Sequence, residues 1–207
     1  MSQMAATKSE VVEQFRSQAI RDAAMRVVSR KGYDHVTVQD IADEAHIAKG
    51  TVYLYFKSRE DIFEQTISFS FEDLRERIGA AIARGGNFAD CVERVVETQL
   101  DFFEQREEFF RLYLAMAEPL GARRLRKHAC YQTFIAQLAS MVEAAAARGE
   151  VRDEPPERIA IALASVIRDI GLQRLTEKTK RPLAEDVQFA RDFICRGVAA
   201  SKSKKEK

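Results

Sequence analysis

Apolar side chains recur every three to four residues along most of the chain, which is the spacing that places them on one face of an α-helix. The first such stripe spans residues 9–31 and includes Val12, Ile20 and Val27. Gly32 follows it, and a left-handed glycine ends many helices. No useful length of sequence alternates between apolar and polar residues, so no β-strand is predicted. The pattern predicts an all-α fold.

Capping residues, glycines and prolines separate the predicted helices. Thr37 and Asp40 have capping-box spacing and open a short helix, and a second short helix starts at Lys49 after a three-residue turn. Ser58 and Asp61 form another box at the start of a long helix. We predict nine helices, at about residues 9–31, 37–45, 49–56, 58–84, 87–103, 109–116, 122–148, 155–178 and 182–200.

The composition of the chain excludes some classes of function. Lys and Arg number 33 against 32 Asp and Glu, a net charge of +1, so any nucleic-acid site must be local rather than a basic coat. Cys91, Cys130 and Cys195 are dispersed and lack the spacing of a zinc site or a disulfide framework, so we predict no metal and no cofactor. No apolar run approaches the ~18 residues of a membrane span. We therefore expect a cytoplasmic protein with no membrane contact.

The two short helices follow a longer supporting helix, which is the order of a helix-turn-helix unit whose second helix enters the DNA major groove. Gly50 would let the backbone approach phosphates, while hydroxyl groups and lysines can bind phosphates or base edges. The amide end of the helix opened by Thr37 could take another phosphate. Val52 and Phe56 are predicted to be core. The candidate DNA-binding residues are Thr37, Gln39, Lys49, Gly50, Thr51, Tyr53, Leu54, Tyr55 and Lys57.

The stretch from Ile20 to Phe63 resembles the DNA-binding domain of TetR/AcrR-family transcriptional regulators. The matching positions include Ala23-Ala24, Gly32-Tyr33, Thr37, Ile41-Ala42, Ala45, Lys49-Gly50-Thr51, Tyr53, Tyr55-Phe56 and Ser58. Two positions depart from the family. Ala48 stands where the family has a capping Ser, and a lost cap costs about 1 kcal/mol. Arg59 replaces the family's Lys and keeps the charge.

The resemblance implies a nine-helix architecture with a three-helix DNA-binding domain and a helical domain for effector binding and dimerisation. We expect a disordered arm at 1–8, the DNA-binding domain at 9–57, the larger domain at 58–200 and a disordered Lys-rich tail at 201–207. The implied function is a repressor that binds a pseudo-palindromic operator as a homodimer and is released by a hydrophobic or aromatic small molecule. A transcriptional activator of the same fold is the alternative. A helical small-molecule-binding protein or an enzyme without DNA function is less favoured, because the chain has no phosphate loop and no nucleophile with a convincing base.

The predicted eighth helix carries two adjoining apolar stripes, and one bundle does not easily cover so wide a face. Gly171 in mid-helix suggests the close approach of another helix. The resemblance implies that the last two helices of two subunits pair into a four-helix bundle, and packing within one chain is the alternative. The expected interface residues are Ile159, Leu163, Ile167, Gly171, Phe193 and Ile194.

The resemblance also implies a small-molecule site between the long fourth helix and the fifth to eighth helices. Most of the residues that could line this site would be core residues in any helical bundle. Gln99 and His128 are different, because they are polar groups on apolar stripes and need a partner if they are buried. The candidate pocket residues are Phe63, Ile67, Phe71, Gln99, Phe102, Phe103, Tyr113, Met116, His128, Tyr131, Phe134 and Ile167.

Overall fold

The computed structural model describes residues 8–117, 129–177 and 181–200. These residues form nine α-helices: α1 (Lys8–Lys31), α2 (Val38–Glu44), α3 (Lys49–Val52), α4 (Arg59–Ala83), α5 (Phe88–Gln105), α6 (Glu107–Ala117), α7 (Ala129–Ala147), α8 (Pro156–Thr176) and α9 (Leu183–Val198). A single 3-10 turn, Tyr33–His35, precedes α2. The described part of the chain has no strand, only one isolated antiparallel bridge between Val151 and Ala199. The predicted all-α fold is confirmed.

Some predictions fall on segments beyond these ranges. Residues 1–7 of the expected arm, the tail 201–207 and the first part of the predicted seventh helix, 122–128, lie outside the described residues. His128 lies outside them too.

The chain divides into two compact units. Of the described residues, 8–70 and 108–117 belong to the first unit, and 71–107, 129–177 and 181–200 belong to the second. This division differs from the boundary expected at residue 58, because α6 and the first half of α4 fall in the first unit. The start of α4 packs there through Phe63, whose ring centroid lies 5.0 Å from that of Tyr33.

Local sequence signals explain how the first unit is built. One face of α1 is buried, including Ile20 and Val27, and α2 buries Ile41 against it. Gly32 ends α1 with φ 77°, the left-handed conformation that its position predicts. The predicted capping box of α2 is present in full.

Helix α8 lies at the centre of the second unit and contacts α5, α7 and α9. Its Arg174 is buried and joins two of these neighbours: the guanidinium donates to Glu104, next to the end of α5, at 3.0 and 2.6 Å, and also to Asp186 on α9. This buried ion pair fixes three helices relative to one another.

The expectation that one chain cannot cover both stripes of α8 is wrong. Three helices surround α8, so the single chain already buries Ile159, Leu163, Ile167 and Gly171. Ile194 on α9 is buried as well. Of the six expected interface residues, only Phe193 presents a largely exposed side chain.

Candidate nucleic-acid interface

A tight turn joins α2 to α3. His46 in this turn has φ 55°, a left-handed conformation that non-glycine residues seldom adopt. The amide of Ile47 donates to the carbonyl of Ala42 at 3.0 Å and closes the turn. The chain therefore reverses within three residues, as a helix-turn-helix unit requires.

Helix α3 is shorter than predicted. The α-helix ends at Val52 instead of Phe56, and the next three residues continue as turns. Amides of Leu54 and Tyr55 bond to carbonyls three residues back, at 3.2 and 3.0 Å, which is the tighter 3-10 pattern common at helix ends. Val52 and Phe56 are buried, as predicted, and hold this segment on the core.

The outward side of this segment forms what we call the α3 surface, defined by Lys49, Gly50, Thr51, Tyr53, Leu54, Tyr55 and Lys57. Tyr53 is 50% exposed and Leu54 80% exposed. Thr51 and Tyr55 are partly buried, and the two lysines and Gly50 are exposed. The predicted residues of the recognition segment therefore share one open surface.

Polar groups on the α3 surface are free to bind something else. Within the described residues, the ammonium groups of Lys49 and Lys57 form no salt bridge, although Lys57 interacts electrostatically with Asp61, and the hydroxyls of Thr51, Tyr53 and Tyr55 make no hydrogen bond. Three ion pairs instead join charged groups of α1 and α2: Arg26–Glu44, Arg30–Glu44 and Lys31–Asp40. Lys49 and Lys57 thus place two exposed positive charges on the α3 surface.

Neither the packing nor the backbone conformation at position 50 requires glycine. Nothing lies within 4 Å of the position that a Cβ would occupy, and its φ is not positive. The protein's own packing and backbone would accept alanine there. An alanine methyl group at this position would extend into open space.

The start of α2, where a phosphate site is expected, carries a complete capping box. The carboxylate of Asp40 accepts from both the amide and the hydroxyl of Thr37, each at 2.9 Å, and from Lys31 at 2.6 Å. Its pKa falls to about 2, chiefly through the hydrogen bond from Lys31 and then through Thr37. A carboxylate of the protein accepts from these two Thr37 donors, and a phosphate contact at the amide end of α2 stays a prediction. Gln39 is exposed, and its amide donates to Asp43 at 2.8 Å.

The ion pairs between α1 and α2 were missed from the sequence. Arg26 and Arg30 lie 18 and 14 residues before Glu44, and only the folded helices bring them together. Nothing in the spacing of these charges within one helix indicates the pairing.

The candidate pocket residues are distributed over both units. In the first unit Phe63, Ile67 and Tyr113 are buried and Met116 is partly buried. The second unit buries Phe71, Gln99, Phe102, Phe103, Phe134 and Ile167, with Tyr131 partly buried.

Gln99 is the informative member of this set. Its side chain is 3% exposed, and its Oε1 has no hydrogen-bond partner among the described residues. One helical turn away on either side, α5 carries buried Val95, Val96, Phe102 and Phe103. The carboxamide oxygen is therefore an unsatisfied acceptor on an apolar helix face, a costly arrangement without a bound partner.

No group of three or more histidine, cysteine or acidic side chains within the described ranges is placed to hold a metal ion. None of the described helices is both long and apolar enough to cross a membrane.

Comparison with known proteins identifies what this chain resembles. The family model for bacterial regulatory proteins of the tetR family matches residues 20–66. YhgD of Bacillus subtilis, an uncharacterised helix-turn-helix transcriptional regulator, is 21% identical over 190 residues, covering 90% of this chain and 98% of YhgD. IcaR of Staphylococcus aureus, the negative regulator of the biofilm operon icaADBC, is 29% identical over 98 residues, or 47% of this chain and 52% of IcaR.

Solved structures share the fold over nearly the whole chain. The fatty acid degradation regulator FadR from Bacillus halodurans has a TM-score of 0.79 at 15% identity, covering 93% of this chain and 97% of FadR. PfmR from Thermus thermophilus has a TM-score of 0.69 at 22% identity, covering 86% of this chain and 97% of PfmR. The helical fold of the described residues is therefore shared with these regulators.

Proposed function

The chain belongs to the TetR family of bacterial regulatory proteins through residues 20–66, and from this premise we propose that it represses transcription as a homodimer bound to a pseudo-palindromic operator. The observation that carries the proposal is the α3 surface. It holds two exposed lysines without salt bridges and three hydroxyls without hydrogen bonds, beside a glycine that the fold does not need.

Each group on the α3 surface has a role in DNA binding. Lys49 and Lys57 would neutralise phosphates, and the hydroxyls of Tyr53 and Thr51 would donate to phosphate oxygens or base edges. Leu54 would supply apolar contact with a thymine methyl group in the major groove. Two lysines give weak binding alone, so the site must be doubled by a second subunit on adjacent half-sites.

An exposed apolar surface on α9 supports the proposal that two subunits associate. Phe189 and Phe193 are 61% and 59% exposed, and their rings stack at a centroid distance of 6.1 Å. Leu172 on α8 is also exposed. Adjacent exposed aromatic rings mark interaction surfaces, and a two-fold axis would bring this surface against its own copy. We propose that Phe189 and Phe193 form the dimer interface in place of the buried residues of α8.

The proposed effector is a largely apolar or aromatic molecule that carries a hydrogen-bond donor. Gln99 offers an unpartnered acceptor among buried apolar side chains, so a hydroxyl or N–H group would satisfy it. Binding of the effector would lower operator affinity, and linkage requires that the operator weaken effector binding by the same factor. Repression is favoured because IcaR, which is 29% identical to this chain over 98 residues, is a negative regulator. A transcriptional reporter distinguishes repression from activation.

Fluorescence anisotropy with DNA from upstream of the protein's own gene tests the DNA-binding proposal. Tyr53→Ala should weaken operator binding about tenfold, since one phosphate or base contact is lost. Phe69→Ala is the matched control, because Phe69 is also an aromatic residue of the first unit with 50% exposure, and it should bind as the wild type does. Equal effects of the two variants would show that Tyr53 does not contact DNA.

Sedimentation tests the dimer. Phe193→Glu should give a monomer that binds operator weakly, because a carboxylate cannot be buried unpaired against a second copy. Phe15→Glu places the same charge at an exposed aromatic position of α1 and should remain a dimer. A dimeric Phe193→Glu protein would move the interface elsewhere.

A further inference from the structure

Arg59, the first residue of α4, turns back toward the segment that precedes α2. Its Nη1 donates to the backbone carbonyl of Tyr33 at 3.1 Å and to that of Val36 at 3.2 Å. These carbonyls flank the 3-10 turn Tyr33–His35. A single guanidinium therefore joins the start of α4 to both ends of this turn.

Further contacts hold the guanidinium in this position. Its carbon lies 5.0 Å from the ring centroid of Tyr33 and 5.7 Å from that of Phe63. Its Nε lies 3.0 Å from a carboxylate oxygen of Glu60. The side chain is 24% exposed, so most of its surface is used inside the protein. A lysine ammonium could donate to both carbonyls, but it would lose the contact of Nε with Glu60 and the planar group that lies over the two rings.

The segment that Arg59 holds leads directly into α2. Val36 is buried and precedes Thr37, whose capping box starts α2. Near the same end of α2, Asp40 forms a salt bridge with Lys31 of α1. At the other end, Glu44 forms one with Arg26 of α1. Because α2 packs on α3, the placement of α3 depends on these ties. The hydrogen bonds of Arg59 add a connection from α4 to the segment before α2.

We propose that Arg59 is a positioning residue for DNA binding. It fixes the start of α2 to the start of α4, so that α2 and α3 keep the orientation in which the α3 surface meets the groove. It does so through the carbonyls of Tyr33 and Val36 and makes no phosphate contact of its own. This inference rests on the proposed function, since it assigns how the DNA-binding surface is held.

Operator binding by Arg59→Lys and Arg59→Gln, measured against salt concentration, tests the proposal. Both variants should lose about tenfold in affinity at a temperature where circular dichroism shows them folded, with the salt dependence of binding unchanged. Lys57→Gln is the matched control: it removes an unpaired charge of the α3 surface and should lower the salt slope by about one. Wild-type binding by Arg59→Lys, or a lowered slope for Arg59→Gln, would identify Arg59 as a phosphate contact and overturn the proposal.

Hydrogen exchange gives a readout that needs no DNA. Amides of residues 35–41 should exchange faster in Arg59→Lys than in the wild type, while amides in the middle of α1 keep their protection. Unchanged exchange at 35–41 would overturn the positioning role. The proposed function fails differently, since the wild type and Lys57→Gln would then show no operator binding to compare.

Discussion

Nε of Arg26 on α1 donates to Oε1 of Glu44, the last residue of α2, over 2.7 Å. Arg30, one turn further along α1, donates to the other oxygen of the same carboxylate. One carboxylate thus ties two arginines to the end of α2, next to the turn that leads into α3. Because this carboxylate must be charged to form both bonds, its contribution to stability should depend on pH.

The hydrogen bond from Arg30, and then that from Arg26, lowers the pKa of Glu44 from 4.5 to about 2. A depressed pKa means that the folded state favours the charged form, so the stabilisation is complete above about pH 4.5 and is lost as pH falls toward 2. Glu44→Gln should therefore lower the urea midpoint at pH 7 and lower it much less at pH 3. Glu13→Gln changes an exposed residue of α1 and should shift neither midpoint. A Glu44→Gln deficit that persists undiminished at pH 3 would contradict the ion-pair explanation.

Gly50→Ala separates DNA binding from folding. A Cβ at this position meets nothing within 4 Å, and alanine is favoured over glycine in helices by about 1 kcal/mol. The variant should melt at or above the wild-type temperature. Operator affinity should nevertheless fall about tenfold, because the methyl group would hold phosphates away from the backbone. Unchanged affinity would mean that no DNA approaches this part of α3.

Ala48→Ser should restore a missing cap. Ala48 is the N-cap of α3, with the extended φ of −68° and ψ of 143° that caps adopt, and it makes no side-chain cap bond. A serine hydroxyl there can accept from an amide of the first turn and should stabilise the protein by about 1 kcal/mol. Ala48→Thr should stabilise too, whereas Ala48→Val, which has the same shape without the hydroxyl, should not. Equal urea midpoints for Thr and Val would exclude capping as the cause.

Signals that act over a few residues were predictable from the sequence. The capping box of Thr37 and Asp40 and the left-handed Gly32 could be predicted because their partners lie within four residues. The two stripes of α8 were predicted as apolar, but a second subunit was expected to cover them. In the structure, helices of the same chain do so. Their burial depends on how three helices that are distant in sequence surround α8. The apolar periodicity of one helix cannot predict that packing.

The same distinction applies to the candidate site. The resemblance indicated which residues lie on the α3 surface, because the spacing of a helix-turn-helix unit decides which side chains face outward. It did not indicate that Asp40 takes the donors of Thr37, or that Arg59 is engaged with Tyr33 and Val36. These facts concern which polar groups are already satisfied, and a sequence motif specifies residue types without specifying their partners.

Arg174→Met should be among the most destabilising changes in the second unit. It would leave the buried carboxylate of Asp186 without this partner, and breaking a buried ion pair typically costs about 3–5 kcal/mol. Arg158→Met is the matched control on the same helix, because Arg158 is 76% exposed and pairs with the nearby Glu154. It should change stability by less than about 0.5 kcal/mol. Changing Asp186 to Leu in the Arg174→Met background should recover part of the loss, and failure to recover any would mean that the charge left behind is not the cause.

Gln99→Leu should have opposite effects on stability and on effector response. In the free protein the unpartnered Oε1 is a cost, and replacing the carboxamide by an apolar side chain of similar size should raise the free energy of unfolding by about 1 kcal/mol. In a thermal-shift screen, apolar compounds with a hydroxyl or N–H group should stabilise the wild type and raise the melting temperature of Gln99→Leu much less. Gln132→Leu, at an exposed position of α7, should respond as the wild type does. If Gln99→Leu instead loses stability while keeping the full ligand shift, then Gln99 is satisfied inside the protein and the effector does not bind to it.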